Sequence, residues 1–173
     1  MQSDTDKRFA RMQKTTGLHL AMEAEETLQR LTEFPDNPAA MDYFYDLFRN
    51  LYKNGQTLPG DKKVIGTMCL QVPDELIYAA GATPMRMCSG AYAHDQVGAE
   101  FLPAKSCPVV KATTGMLHVN QDVWGKSVAS VVVPTTCDQK KKCGEMLPEM
   151  GYPAYTLEMP SSKESDADRK SVV

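Results

Sequence analysis

The sequence predicts an α/β fold: a parallel sheet of about four strands flanked by helices, preceded by an N-terminal helical segment. Three observations carry this. Short apolar runs at residues 63–68, 83–87, 127–133 and 154–158 alternate with helix-like segments, the texture of strand–helix–strand units. The clearest run, Ser127-Val128-Ala129-Ser130-Val131-Val132-Val133, is continuous, as a parallel strand covered on both faces requires. Finally, 173 residues with 42% hydrophobic content suit one core, in a single domain or a piece of a larger protein.

Taken in order, Thr15 and Thr16 are positioned to cap a first helix carrying Leu18, Met22, Leu28 and Leu31, closed by Pro35-Asp36-Asn37-Pro38. A second helix from Pro38 carries Met41, Phe44, Tyr45, Phe48, Leu51 and Tyr52 at i, i+3, i+4, i+7 spacing and stops at Asn54-Gly55. That aromatic stripe reads as a packing face, with docking on a second subunit as the other use. Beyond the turn Leu58-Pro59-Gly60-Asp61, residues 63–68 read as a buried strand. Pro73-Asp74-Glu75 opens a short helix that ends at Gly81, Pro in its first turn and acids suited to the dipole. Glu75 is explained as one of those first-turn acids. A strand at 83–87, a helical stretch around 96–102 and a helix over 109–118 follow. After the 127–133 strand, a Lys- and Glu-rich helix over 139–150 ends at Gly151, and 154–158 forms the last strand. This gives a helical segment at 1–60, an α/β domain at 61–160, and at 161–173 the start of a further helix or linker. That last stretch has a cap and an acidic first turn but no apolar face, so the chain reads as part of a larger protein.

Charge and hydropathy narrow the classes. Lys and Arg total 19 against 22 Asp and Glu, a formal charge of −3, so the basic footprint of a nucleic-acid binder is absent. No apolar run reaches the roughly 18 residues of a membrane span. The charged N-terminus lacks an apolar signal core, which points to a cytoplasmic location. His19, His94 and His118 are scattered, and His94-Asp95 reads as a surface loop pair. Lys140-Lys141-Lys142 reads as a solvated face, with an anionic partner as the lesser alternative.

Cysteines say more. Five of them, Cys69, Cys88, Cys107, Cys137 and Cys143, make an odd set in a chain without an export signal, which favours metal or redox chemistry over a disulfide framework. In open parallel sheets ligands sit beyond the carboxyl ends of the strands, and Cys69, Cys88 and Cys137 each follow a strand. Cys137 also opens a helix and precedes three lysines; helix dipole and cations both favour an anionic sulfur, the state a metal or a nucleophile needs. Cys107 precedes Pro108, so its backbone is extended just before a helix start. Cys143, two turns into a helix, reads as structural. Cysteines on separate loops without any CxxC suit an iron–sulfur group better than zinc.

Three ordered motifs carry a resemblance. Gly66-Thr67-Met68-Cys69-Leu70-Gln71-Val72-Pro73-Asp74-Glu75-Leu76-Ile77-Tyr78-Ala79-Ala80-Gly81-Ala82-Thr83-Pro84-Met85-Arg86, then Cys107-Pro108-Val109-Val110-Lys111, then Val133-Pro134-Thr135-Thr136-Cys137-Asp138-Gln139-Lys140-Lys141-Lys142 resemble the 2-hydroxyacyl-CoA dehydratase D-component family. That family also holds benzoyl-CoA reductase subunits and double-cubane cluster proteins; the likeness spans about residues 10 to 160, its N-terminal half. The resemblance implies a flavodoxin-like domain, the first of two, in a subunit that pairs with a homologous one as a homo- or heterodimer. It implies a [4Fe-4S] cluster held by three cysteines, of which Cys107 and Cys137 would be two, the third belonging to a second domain. Cys69 would lie in the active-site wall. The implied activity is that of a radical lyase, incomplete in this chain: an ATP-dependent activator iron–sulfur protein supplies one electron, and a 2-hydroxyacyl-CoA loses water through a ketyl radical. Oxygen sensitivity and an anaerobic host follow from the same resemblance.

Two other readings stay open at this point. Cys69 and Cys88 together with the Thr-Thr-Cys-Asp run lean toward the double-cubane branch, whose members carry an [8Fe-9S] cluster and reduce small molecules. A non-catalytic truncated or assembly module, acting through the Met41 to Tyr52 stripe, is the third.

Overall fold

The computed structural model describes residues 4–54 and 62–160. Its centre is a four-stranded, all-parallel sheet of β1 (Val64–Thr67), β2 (Thr83–Arg86), β3 (Val128–Pro134) and β4 (Ala154–Leu157), in the order β2-β1-β3-β4. As far as four strands go, this is the flavodoxin-like order, with its switch point between β1 and β3. The α/β fold and flavodoxin-like sheet expected from the sequence are both present. The chain is Asp4–Thr32 (α1), Asp42–Asn54 (α2), β1, Asp74–Ala79 (α3), β2, Tyr92–Gly98 (α4), Pro108–Val119 (α5), Gln121–Ser127 (α6), β3, Asp138–Met146 (α7), β4.

The sheet is short because the apolar runs are short. One face is sealed by the core, while the other leaves Tyr155 exposed and Ile65 and Val132 half-buried, so β3 is not covered on both faces as its apolar run suggested. Val64, Val131 and Val133 are buried together with Met87, Leu117, Leu147 and Tyr152. The Tyr152 hydroxyl donates to the Leu117 carbonyl at 2.8 Å, so the one polar atom this large side chain brings into the core is satisfied. Cys143 is part of the same core at 1% exposure, its sulfur 3.3 Å from the Thr114 hydroxyl. Gly81 stops α3 at φ 75°, and Gly151, at φ 82°, closes the turn after α7, which ends at Met146 rather than running to 150 as expected. At each, paired backbone bonds close the end: Ala82 N–H to Ile77 and Gly81 N–H to Tyr78, Tyr152 N–H to Leu147 and Gly151 N–H to Pro148.

Several elements differ from the sequence expectation. The first helix starts at Asp4, not at Thr15 or Thr16, which lie inside it. Its first turns are held from a distance: the Phe9 ring packs edge-on to His118 at 5.4 Å, and the Gln13 amide donates to the Val119 carbonyl at 2.7 Å. Leu18 and Met22, read as core, are each 62% exposed, and the buried positions are Thr16, Ala24 and Leu28. Small side chains face inward there because α1 packs closely on α4. The expected helix around 96–102 is instead Tyr92–Gly98, and α6 was not expected. In the aromatic stripe, Tyr45 is buried, with its hydroxyl 2.6 Å from Asn37 Oδ1 and 3.0 Å from the Leu31 carbonyl, tying α2 to the end of α1. Phe44, by contrast, is 55% exposed, so the stripe packs on one residue more than on the whole face. The turn at 58–61, the side chains of Leu51 and Tyr52, and the helix start at 161–168 lie outside the described residues. No described helix is long and apolar enough to cross a membrane.

Candidate functional site

In a parallel sheet every strand delivers its carboxyl end to the same edge, and every return helix starts there. Cys69 follows β1, Cys88 follows β2 and Cys137 follows β3 at this edge, while Cys107 sits at the start of α5, the helix that returns to the foot of β3. The edge therefore collects four of the five cysteines, and only Cys143 is in the core.

Cys107 and Cys137 hold equivalent places. Each is the N-cap residue of its helix, each is exposed, and neither cap makes a side-chain hydrogen bond. Pro108 supplies the first residue of α5, where its missing N–H costs nothing. Cys137 is fully extended at φ −154° and ψ 152°, which turns the chain from β3 into α7. Soft sulfur donors left free of capping duty suit an iron–sulfur group chemically. Among the described residues, no three His, Cys, Asp or Glu side chains gather as a metal site.

Cys69 is built differently. It is the sole described residue other than glycine with a positive φ, at 148°, a conformation that costs an L-residue about 1 to 3 kcal/mol. The strain is held by Arg86, whose guanidinium donates to the Cys69 carbonyl and, at 2.8 Å, to Asp74 Oδ2. Partial burial works to raise the Cys69 thiol, but the backbone of Gln71, the facing Lys140 ammonium and the backbone of Leu70 outweigh it and leave the thiol lowered. Lys140 also donates to the Thr136 hydroxyl at 2.7 Å. It thus spans the β1/β3 switch point, joining the loops after the two strands, and is not part of a merely solvated lysine face. Lys141 and Lys142 are exposed and pair with Asp138 and Glu145 on their own helix. Cys88 has its thiol raised, first by desolvation and also by the neighbouring Cys69, with Arg86 and Lys140 opposing.

Behind this edge, α4 and α5 cross at backbone contact. A Cβ on Gly98 would meet the Lys111 carbonyl at 1.9 Å, and one on Gly115 would meet the His94 carbonyl at 2.0 Å. Lys111 Nζ and Asp95 Oδ1 pair at 3.2 Å across the same crossing, both largely buried, which fixes the first turns of α5 and with them Cys107. His94 is buried, its Nδ1 2.8 Å from the Ser89 hydroxyl; it is not the surface loop residue the sequence suggested. Burial pushes its pKa down, with the Glu23 carboxylate opposing. Glu23, from α1, accepts the backbone N–H groups of Tyr92 at 2.7 Å and Ala93 at 3.0 Å and so caps α4 from outside. Neither Glu23 nor Lys140 had a local signal in the sequence, because each acts on a segment far along the chain or across a crevice.

With this geometry established, comparison with known proteins is decisive. The sequence matches the 2-hydroxyglutaryl-CoA dehydratase D-component family over residues 69–173. The chain belongs to that family. The match opens at Cys69 and takes in all five cysteines. A protein described as a dehydratase subunit, YjiM of Escherichia coli (strain K12), is 32% identical over 106 residues, which is 61% of this chain and 27% of that protein. The chain thus spans about a quarter of the length of that relative. The four cysteines at the strand-end edge all lie within the residues the family match covers.

Proposed function

We propose that this chain is part of an iron–sulfur subunit of a 2-hydroxyacyl-CoA dehydratase, which removes water from a 2-hydroxyacyl-CoA after one-electron reduction by an ATP-dependent activator. The observation that supports this most is the matched placement of Cys107 and Cys137, two exposed, uncapped helix-start cysteines on the ligand edge of a chain in the dehydratase D-component family. Cys107 and Cys137 would hold two corners of a [4Fe-4S] group, and a third cysteine would come from beyond this stretch. When bound, such a group supplies a single electron and an iron open to the thioester oxygen.

The chain's own residues do the rest. The extended N-cap backbone of Cys107 and Cys137 presents each sulfur at the strand-end edge, outside the body of its helix. The Lys111–Asp95 pair and the Gly98 and Gly115 contacts keep the start of α5 from shifting. Lys140 places a positive charge at the switch point, suited to the anionic oxygen that a reduced thioester carries. Water access to the edge is limited by whatever covers it, which in this reading is the second domain and a homologous subunit. The location is the cytoplasm.

A second reading, an [8Fe-9S] double-cubane reductase of small molecules, draws support from Cys69 and Cys88 standing at the same edge. The test is turnover by the anaerobically prepared full-length protein with its activator, ATP and partner subunit. Conversion of a 2-hydroxyacyl-CoA to the enoyl-CoA is the expected result. Reduction of acetylene or hydrazine without acyl-CoA turnover would transfer the assignment to the second reading.

A further inference from the structure

We propose that Cys69 and Cys88 form an oxidisable dithiol pair at the ends of β1 and β2, a modification site that a hydroperoxide converts to a disulfide. The sheet register makes the pair. Thr67 faces Arg86 on the last rung between β1 and β2, and the Met87 N–H continues the ladder to the Thr67 carbonyl at 2.9 Å. Cys69 and Cys88 each follow two residues beyond that last paired rung, at the ends of neighbouring strands. Such strands lie about 4.8 Å apart, against the Cα separation of about 4.4 to 6.8 Å that a disulfide spans. The positive φ of Cys69 would let its segment leave the ladder, but the Arg86 guanidinium holds the Cys69 carbonyl against β2. The two thiols are close enough for a charge on Cys69 to raise the Cys88 thiol.

The two members have the unequal surroundings that sequential oxidation needs. Cys69 is part-exposed and faces the Lys140 ammonium, so it supplies the anionic sulfur that attacks. Cys88 is exposed and its thiol is held up, so it waits protonated as the resolving partner. In the first step the Cys69 sulfur attacks the peroxide; an S–O bond forms, the O–O bond breaks, and hydroxide leaves. The sulfur gives up two electrons and becomes a sulfenic acid. In the second, the Cys88 sulfur attacks Cys69 Sγ, an S–S bond forms, the S–O bond breaks, and the departing hydroxide takes the Cys88 proton as water. Two thiols and one peroxide thus give one disulfide and two waters. Cys143, sealed in the core, takes no part. This inference stands apart from the dehydratase reading, because it uses neither Cys107 nor Cys137.

The experiment treats the full-length protein with hydrogen peroxide, blocks the remaining thiols, and digests with trypsin. Cleavage after Lys63, Arg86 and Lys105 separates Cys69 from Cys88 into two peptides. The expected product is those two peptides joined, with loss of two hydrogens. In Cys88→Ser the Cys69 sulfur stops at a sulfenic acid that dimedone captures, and in Lys140→Met the loss of the Cys69 thiol is several-fold slower. Crosslinks that run to Cys107 or Cys137 would overturn the pairing. So would thiols that resist peroxide until iron is chelated, because Cys69 and Cys88 would then be metal ligands.

Discussion

A single residue concentrates much of what is unusual here. Cys69 holds a φ of 148°, where a Cβ is costly and glycine is at ease. Cys69→Gly is therefore expected to be more stable than Cys69→Ala by about 1 kcal/mol. Thermal unfolding of the two variants reads this directly, and an alanine variant as stable as the glycine one would show that the strain is not real. His94 makes a second residue-scale case. Burial lowers its pKa from the ordinary 6.5, with Glu23 opposing, so the unfolded chain takes up the proton more readily than the native one. The stability that a neutral His94 provides is complete above about pH 6.5 and is lost as pH falls from there through the native pKa. His118 is lowered for the same leading reason, with Glu100 opposing, and adds in the same direction. His94→Asn keeps an acceptor near Ser89 and is expected to flatten, without abolishing, the fall in urea midpoint below pH 6.5. An unchanged slope would mean that His94 does not titrate on unfolding.

At the scale of elements, the contacts that set helix positions are tertiary. Glu23 caps α4 from α1, so Glu23→Ala is expected to cost about 1 kcal/mol, the usual value of a lost cap, and to raise amide exchange at Tyr92 and Ala93. Equal exchange in both proteins would contradict it. Gly115→Ala puts a Cβ 2.0 Å from the His94 carbonyl, and the resulting shift of α4 against α5 should cost about 3 kcal/mol. A chemical denaturation curve matching wild type would mean that the helices separate without penalty. These same contacts explain what was legible in the sequence. The strands at Val64–Thr67, Val128–Pro134 and Ala154–Leu157 were plain from their apolar and β-branched runs, and the end of the helix before Gly81 was plain because glycine meets the left-handed stop cheaply. The start of α1 was missed because Phe9 and Gln13 are held by the end of α5, over a hundred residues away for the Gln13 bond. The start of α4 was missed because its cap is Glu23, and Leu18 and Met22 were misread as core because a close helix crossing buries Thr16 and Ala24 instead. In the site, the strand-end places of Cys69, Cys88 and Cys137 followed from topology and the helix-start place of Cys107 from Pro108, whereas the reach of Lys140 across the switch point did not.

For the whole molecule, a flavodoxin-like four-stranded sheet carries α1 against α4 and α5, with α2 tied to the end of α1, and the chain covers 27% of a relative that is described as a dehydratase subunit. Four thiols stand at the parallel edge, and among the described residues no three His, Cys, Asp or Glu side chains gather as a metal site. In the proposed enzyme Cys107 and Cys137 hold iron while Cys143 only packs. The test is iron and acid-labile sulfide in the full-length protein, prepared without oxygen, as wild type and as Cys107→Ala, Cys137→Ala and Cys143→Ala. Stoichiometric iron and sulfide are expected in wild type, with retention in Cys143→Ala and loss in Cys107→Ala and Cys137→Ala while the folded far-ultraviolet spectrum stays intact. Iron that survives both edge variants, or that is lost equally in all three, would contradict that assignment.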